Sequence, residues 1–451
     1  MKTATILLAA GKGTRMRSEL LKVLHPIGGK PMLWHTIQAA LQATHQPPTI
    51  IIGFQGDKVK ESFGDTVEYI TQEEQLGTGH AVLQAKDQIQ GQSDLVLVML
   101  GDMPLLRPET IKKLIKKQTQ NSGPISMLTV IAEDPRGFGR ILRNPQGEVE
   151  AIIEEVDCTP EQLLINELNV SMYCFQADWL WENLEKIPVS AKGEYYLTDI
   201  VAIARQQRLS VQAEVIEDRQ EAMGINSRVH LAEVETILRK RINEQWMLAG
   251  VTIIDPATTY IEAEVTIGAD TVLYPNTHLQ GSTQIGSNCV IGPNSIIRDS
   301  ILGNYCEVLA AVIEQARVDD HVDIGPFGHL RKGAHLADGV HMGNFGEVKN
   351  SYLGPGVKMG HFSYIGDATI GKDVNIGAGT ITCNYDGKNK HHTTIEDGVF
   401  IGSDTMLVAP LKIGKGAQTG AGSVVTTDVA EGELVAGVPA RKLRDLETDG
   451  E

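Results

Sequence analysis

The chain has 451 residues, 42% of them apolar and 22% charged, and a formal net charge of −17. That length allows about two to four domains with cores of their own, and the acidity argues against a dedicated nucleic-acid binder, which needs a basic footprint. Five cysteines without CxxC spacing, a leading apolar run too short for a signal peptide, and no stretch approaching a membrane span point to a cytoplasmic protein with reduced thiols.

Residues 1–227 alternate apolar runs with helical patterns. The runs "TATILLAA", "TIIIGF", "DLVLVMLGD" and "ISMLTVIAE" end in glycine or acidic residues, and "PMLWHTIQAALQAT" and "PETIKKLIKKQTQ" carry helical spacing. This alternation predicts an α/β domain with a mostly parallel, mixed sheet. The first run opens directly into "AAGKGTRM". That loop is neither a Walker A nor a Rossmann loop, but its N–H groups lie between a strand and a helical pattern, where they can meet phosphate oxygens. Lys12, Arg15 and then Lys22 add positive charge. "EEQLGTGHA" puts Gly77, Thr78 and Gly79 at a second strand–helix junction. "VMLGDMP" ends an apolar strand in Asp102, delivering a carboxylate to the sheet edge where α/β proteins bind ligands. Further polar motifs follow: "GFGRI", "IIEE", "ELNVS", "GEYYLTDI" and "GINSR".

Residues 228–249 read as one helix, with Leu231, Val234, Leu238, Ile242 and Trp246 at helical spacing and Gly250 to end it. It is a connector, or the last helix of the first domain; the two readings are compatible. From residue 250 onward the pattern has a period of six. Ile267, Leu273, Leu279, Ile285, Ile291 and Ile297 form one aliphatic series. Val318, Ile324, Leu330, Leu336, Met342 and Val348 form a second, and Ile395, Ile401, Leu407 and Ile413 a third. This is the signature of a hexapeptide parallel β-helix. Three hexapeptides make a triangular coil, the aliphatic residue points inward, and glycine, Asn or Asp takes turns that need positive φ. The period slips over 304–315, and "TCNYDGKNKHHTT" interrupts it, which predicts a loop leaving the prism. His329, His335 and His341 are six apart and so project from three faces; they diverge and cannot share a metal.

The N-terminal motifs together resemble the sugar-nucleotide pyrophosphorylases. With the β-helix behind them, the whole chain resembles the bacterial family of bifunctional N-acetylglucosamine-1-phosphate uridylyltransferase/glucosamine-1-phosphate N-acetyltransferases. The resemblance implies a uridylyltransferase domain over 1–227, a linker helix over 228–249, and a left-handed β-helix N-acetyltransferase domain with a C-terminal tail over 250–451. It implies acetyl transfer from acetyl-CoA to glucosamine 1-phosphate, then uridylyl transfer from UTP to N-acetylglucosamine 1-phosphate. The product, UDP-N-acetylglucosamine, supplies peptidoglycan and lipopolysaccharide.

For uridylyl transfer, the resemblance implies that Leu8, Ala9, Ala10, Gly11, Gln72, Gly77 and Thr78 frame the uridine. Arg15 and Lys22 then meet phosphates, Asp102 and Asn226 hold Mg²⁺ or Mn²⁺, and Gly139, Glu154 and Asn169 bind the sugar. Two departures stand out. Leu100 replaces a common tyrosine, and Asn169-Val170-Ser171 replaces "NTG" or "NSG", so a hydroxyl contact to the sugar at 170 has no donor here, while a backbone contact there stays open. For acetyl transfer, an amine must be deprotonated, and histidine suits that task. The resemblance makes His361 the base, with Glu347 to orient it. Arg331, Lys349 and Lys390 bind the sugar phosphate. Tyr364, Asn375, Asn384 and Tyr385 position the ring, and Ala378, Ser403, Ala421 and Arg441 (or Lys442) contact acetyl-CoA. A homotrimer through the β-helix, with no nucleic-acid or membrane partner, is implied as well. The alternatives are a glucose-1-phosphate nucleotidyltransferase with a regulatory β-helix, which lacks the dense cluster from His361 to Lys390, and a non-catalytic scaffold.

Overall fold

A computed structural model describes residues 1–135 and 137–445; the expected C-terminal tail beyond 445 lies outside the described residues. Its contacts divide the chain into two compact units, Met1–Leu238 and Arg239–Glu451.

The first unit is built on a nine-stranded mixed sheet. Its strands are β1 (Thr3–Leu8), β2 (Thr49–Ile52), β3 (Glu68–Thr71), β4 (Leu95–Leu100), β5 (Ile125–Ile131), β6 (Arg140–Arg143), β7 (Val149–Ile153), β8 (Glu167–Gln176) and β9 (Val211–Val215). Their order is β9-β5-β8-β4-β1-β2-β3, with β6 joining β8 and β7 joining β6. The centre of the sheet is parallel: β1 lies between β2 and β4. Strand β8 runs antiparallel between β4 and β5.

The central strands read as unbroken apolar runs because both faces of the sheet are covered. Alternate side chains enter opposite cores: Leu7, Leu97 and Met99 on one face, Ile6, Val96 and Val98 on the other. Helices α1 (Met32–Thr44), α2 (Thr78–Leu83), α3 (Pro108–Gln120) and α4 (Arg228–Leu248) complete the elements used below. Proline opens α3, where its missing N–H is not needed.

Strand β8 is interrupted. Asn169 pairs with Thr129 and Tyr173 with Met127, so β8 holds more residues than β5 across that interval. Ser171 takes up the excess with a left-handed backbone, φ 58. Val170, one residue earlier, is fully buried in the core with Leu168 and Met172.

Helix α4 contributes to both units by turns. Val234 is buried in the core of the first, while Ile242 and Trp246 pack against the core of the second. Asn243, 1% exposed, donates to the carbonyls of Pro256 (3.0 Å) and Thr259 (3.1 Å), tying the end of the helix to the start of the prism.

The second unit is a left-handed parallel β-helix. Its short strands stack into three sheets of twelve, ten and nine strands, called here the first, second and third faces. Register is kept residue by residue: Ile267 pairs with Ile285, Ile285 with Leu302, Leu302 with Val318, and Val318 with Leu336. The paired aliphatic side chains form one continuous core along the axis. Where the sequence period slips, pairing persists: Ile297 faces Ile313 and Ile313 faces Leu330. Where it breaks, Ile370 pairs with Ile395, so the chain between them makes an excursion and returns to register. A C-terminal hairpin, Glu433–Gly437 with Ala440–Asp445, joins the first face at Gln418 and Thr419.

The coils stack closest at the corners. A Cβ on Gly343 would lie 2.0 Å from the Gly360 carbonyl oxygen of the next coil. Replacing Gly343 with Ala is therefore expected to force the coils apart, at a cost of about 1–3 kcal/mol by overpacking. In scanning calorimetry the transition of the prism should move to lower temperature, and the transition of the first unit should stay in place.

Candidate functional sites

The first site forms where β1 and β4 end together. Leu8 pairs with Leu100, the Leu8 carbonyl accepts from Gly101 N (3.0 Å), and Ala9 N donates to the Ile51 carbonyl (2.9 Å). The glycine loop and Asp102 thus leave the sheet side by side. The second glycine motif is laced to a later segment. Gly79 N donates to the Tyr195 carbonyl (2.8 Å), Tyr195 N to the Leu76 carbonyl (2.8 Å), and Leu197 N to Thr78 Oγ1 (3.0 Å). Gly77, at φ 98, has room for no side chain, because a Cβ there would lie 2.6 Å from the Tyr195 carbonyl oxygen. Gln72 Nε2 donates to the Gly77 carbonyl (3.1 Å) and Gln75 Nε2 to the Ala10 carbonyl (2.9 Å).

These segments enclose a cavity of about 530 Å³. Leu8, Ala9, Ala10, Gly11, Lys22, Gln72, Gly77, Thr78 and Asp102 all line it, as do Gln75, Leu100 and Glu194. Sequence reasoning missed Gln75 and Glu194, although both lie inside motifs it had singled out. At one end stands a charged cluster. Lys22 Nζ is 2.5 Å from Asp102 Oδ2 and 3.3 Å from Asn226 Oδ1, and Arg15 Nη2 donates to the same Asn226 oxygen at 3.0 Å. The Ile225 N–H, bonded to the Asp102 carbonyl (3.1 Å), carries Asn226 to this place. Arg15 does not line the cavity; it reaches the cluster through Asn226.

The cluster suits a divalent cation. Asp102 Oδ1 is buried with no hydrogen-bond partner, and the donor set is a carboxylate and an amide oxygen, the hard oxygens that Mg²⁺ and Mn²⁺ take. No group of three or more His, Cys, Asp or Glu able to hold a metal occurs among the described residues. A cation here would therefore draw its remaining ligands from substrate and water.

A second cavity of about 230 Å³ shares Leu8, Thr78 and Leu100 with the first. Glu154, Ser171, Tyr173, Tyr196, Leu197 and Thr198 complete its wall. Burial pushes the Glu154 carboxyl above the usual carboxylate range, and the Thr198 hydroxyl, donating to Glu154 Oε1 at 3.1 Å, partly offsets this. Gly139 and Asn169 line neither cavity. They bond to each other, Asn169 N to the Gly139 carbonyl at 2.9 Å, behind the wall. The Val170 side chain enters the core rather than the cavity, so its missing hydroxyl removes no group from this wall.

The second site lies on the β-helix, on the second face and the corner that precedes it. Glu347 pairs with Tyr364 and Lys349 with Gly366 in adjacent strands. Gly366 makes room for the tyrosine ring: a Cβ there would lie 2.3 Å from Tyr364 Oη. Lys390 beside Lys349, and then Arg331, pull the Lys349 ammonium below the usual lysine range. Three cations held this close are suited to receive an anion.

Asp367, which sequence reasoning also missed, braces the cluster. Asn350 Nδ2 (2.6 Å) and Asn384 Nδ2 donate to its carboxylate, and Lys390 Nζ is 4.0 Å away. The interrupting loop is closed by the Tyr385–Lys390 bridge and by His391 Nε2 against Asp386 Oδ2 at 2.7 Å.

His361 sits at the corner between the first and second faces. The corner repeats along the axis, so Ala378, Ser403 and Ala421 follow it in successive coils; Asp404 N donates to the Ala378 carbonyl and Gly422 N to the Ser403 carbonyl (2.8 Å). Asn375 lies apart on the first face, paired with Lys358 and Phe400. Glu347 bonds Arg331 (2.8 Å) rather than His361. Lys442 is engaged by Glu433 (2.8 Å) and Asp445 (2.7 Å), whereas Arg441 has no ion pair among the described residues. His329, His335 and His341 fall on three different faces and pair with Glu314, Asp319 and Asp323.

Comparison with known proteins places both halves. The family model for MobA-like NTP transferase domains matches residues 5–164. Models for the bacterial transferase hexapeptide and the hexapeptide repeat of succinyl-transferase match residues 264–299 and 392–427. A "Bifunctional protein GlmU" from Heliobacterium modesticaldum is 46% identical across 98% of this chain and 97% of its own. One from Carboxydothermus hydrogenoformans is 48% identical across 95% and 96%, and one from Shouchella clausii 45% across 94% of each. Among the described residues no helix is long and apolar enough to cross a membrane.

Two outcomes follow from the first site. With Lys22→Met, the oxygens of Asp102 and Asn226 lose a competing cation, and Mn²⁺ binding to the otherwise ligand-free protein should tighten on the order of tenfold by titration calorimetry. Glu154, its carboxyl raised by burial, supports the fold below the ordinary carboxylate range and costs stability as pH climbs through the raised value. Glu154→Gln should therefore gain in melting temperature relative to the parent as pH rises above the ordinary carboxylate range, about pH 4.

Proposed function

Because this chain belongs to the family of bifunctional GlmU proteins, and so is a uridylyltransferase and an acetyltransferase in one polypeptide, we propose how its residues divide the two reactions. Residues 1–227 carry uridylyl transfer, residues 250–451 acetyl transfer, and residues 228–249 connect them.

In uridylyl transfer, a phosphate oxygen of N-acetylglucosamine 1-phosphate attacks the α-phosphorus of UTP and pyrophosphate leaves. Such a step needs alignment and charge neutralisation more than covalent help. The loop from Leu8 to Gly11, with Gln72, Gly77 and Thr78, takes the uridine. Arg15 and Lys22 neutralise phosphate oxygens. Asp102 and Asn226 hold Mg²⁺ or Mn²⁺, which when bound offsets the charge on the phosphates. Glu154 takes the sugar, and Gly139 and Asn169 support that wall from behind. The observation that carries this reading is the pair of adjacent cavities that share Leu8, Thr78 and Leu100, with the Lys22–Asp102–Asn226 cluster by the larger and Glu154 on the smaller.

In acetyl transfer, the amine of glucosamine 1-phosphate attacks the thioester of acetyl-CoA. His361 accepts the amine proton and passes it to the departing sulfur, so that CoA leaves as the thiol and the amide remains. Arg331, Lys349 and Lys390 hold the sugar phosphate. Tyr364, Asn384 and Tyr385 orient the ring, with Asn375 reaching in from the first face. Ala378, Ser403 and Ala421 continue the corner from His361 and offer acetyl-CoA a track, and Arg441 meets its phosphates. Cytoplasmic UTP and acetyl-CoA set the compartment.

The assembly is a homotrimer through the β-helix, with the groove at His361 completed by a neighbouring copy. An apolar ridge supports this. Phe327, Phe345 and Phe362 are 58%, 59% and 56% exposed at successive turns of the corner that carries His361, and the first two stack at 5.1 Å. Exposed apolar ridges of this kind mark interaction surfaces. A glucose-1-phosphate nucleotidyltransferase with a regulatory β-helix is not favoured, since bifunctional relatives align along nearly the whole chain.

His361→Ala should reduce acetyl transfer by about 10²–10⁴-fold and leave uridylyl transfer intact, and Asp102→Ala should do the reverse. A folded His361→Ala protein with normal acetyl transfer would overturn the assignment. On dilution, acetyl transfer should fail as the assembly dissociates while uridylyl transfer persists. Equal loss of both would count against the shared groove.

A further inference from the structure

Ser171 combines an unfavourable backbone with a hydroxyl at a cavity wall. It lies in the interrupted part of β8, between the Asn169–Thr129 and Tyr173–Met127 pairs, at φ 58. Glycine adopts this conformation freely, whereas a serine Cβ resists it. Resistance of this kind persists where the surroundings enforce it, and it gathers at ligand sites. Here the enforcement comes from both neighbours. Val170 is anchored in the core, and Asn169 grips Ser171 twice, Ser171 N donating to Asn169 Oδ1 at 3.0 Å and Asn169 Nδ2 to Ser171 Oγ at 3.2 Å.

Ser171 also lines a cavity, with Tyr173 beside it on the same wall. Tyr173 Oη donates to the same Asn169 Oδ1 at 3.0 Å, so that oxygen already serves two donors within the protein. Asn169 is therefore a brace. Ser171, its Oγ accepting from that brace, is the residue that lines the 230 Å³ cavity, and Asn169 is not. Glu154 and Thr198 stand on the same wall and bond to each other at 3.1 Å. A hydroxyl, a carboxyl and a second hydroxyl around one small cavity suit a ligand rich in hydroxyl or amide groups. A sugar is such a ligand.

We propose that the Ser171 hydroxyl hydrogen-bonds an oxygen of the sugar of N-acetylglucosamine 1-phosphate, making Ser171 a binding residue for uridylyl transfer that this chain keeps at the expense of backbone strain. The proposal rests on the reading of this cavity as the sugar site. A purely structural serine predicts something different: its loss would disturb β8 and both cavities together, not one substrate alone.

The test uses the full-length chain with Ser171→Gly, Ser171→Ala and, as a reference for the cavity, Glu154→Gln. Ser171→Gly should raise the melting temperature of the first unit by about 2–4 °C as strain is relieved. It should also raise the KM for N-acetylglucosamine 1-phosphate on the order of tenfold without changing the KM for UTP. Ser171→Ala should raise the same KM with no gain in melting temperature. If either serine variant keeps the parent's KM for the sugar phosphate while Glu154→Gln raises it, the proposal is wrong and the cavity reading stands. If Glu154→Gln also leaves that KM unchanged, the cavity reading falls and the proposal with it. A parallel rise in the KM for UTP in Ser171→Ala would assign the serine to structure alone.

Discussion

Parallel strand pairing in fixed register is the constraint on which the rest of this molecule depends. In the first unit it aligns Leu8 with Leu100, so that the glycine loop and Asp102 leave neighbouring strands at one edge. In the second it aligns each hexapeptide with the one a coil away, so that every corner falls over the last. Parallel strands cannot be joined by a tight turn. Each connection must cross over or go round, and that gives the first unit loops at one edge of its sheet and the second unit corners stacked along its axis. The proposed sites lie there. His361 and Ala378 come together for the same reason that Leu8 and Leu100 do.

Both sites face the same electrostatic difficulty, which is to hold anionic phosphates on a protein of net charge −17. Both meet it by holding cations in place with side-chain oxygens, carboxylate or amide. Lys22 is held by Asp102 and Asn226, and Arg15 is held by Asn226. On the β-helix, Arg331 is held by Glu347, and Lys390 lies near Asp367. The cation excess at each site is local, so the acidity of the whole chain does not oppose it at short range. The lowered ammonium of Lys349 records the strain of the second cluster, where like charges meet before any phosphate separates them.

The interruptions of regular structure are where function collects. The excursion between Ile370 and Ile395 brings Lys390 beside Lys349 and Asn384 against Asp367, and leaves the register of the core intact. The interruption of β8 sends Val170 into the core and Ser171 to the cavity wall. In each case the regular frame is held by buried aliphatic residues, and the irregular insert is held by its own hydrogen bonds. Asp386 and His391 do this for the loop, and Asn169 does it for the serine.

Much of this was legible in the residues alone. The period of six is a property of the chain, because an inward position recurs whenever a coil of three hexapeptides closes, and the slip and the break were visible as well. The nucleotide motifs were legible because a strand that ends in glycine or aspartate announces its edge. Side-chain direction was not legible. Val170 read as a lost hydroxyl contact, yet the register of β8 turns it into the core and gives the wall to Ser171. Glu347 read as the partner of His361, yet its side chain accepts from Arg331 of the preceding coil. Gly139 and Asn169 belong to the sugar motif but stand behind the cavity, and Asp367 had no motif to mark it. The sequence by itself determined which strands and corners exist and which residue types they carry. Only the tertiary structure decided which of those residues face one another, because that depends on strand register and bulges, and these are set by pairing partners far away along the chain.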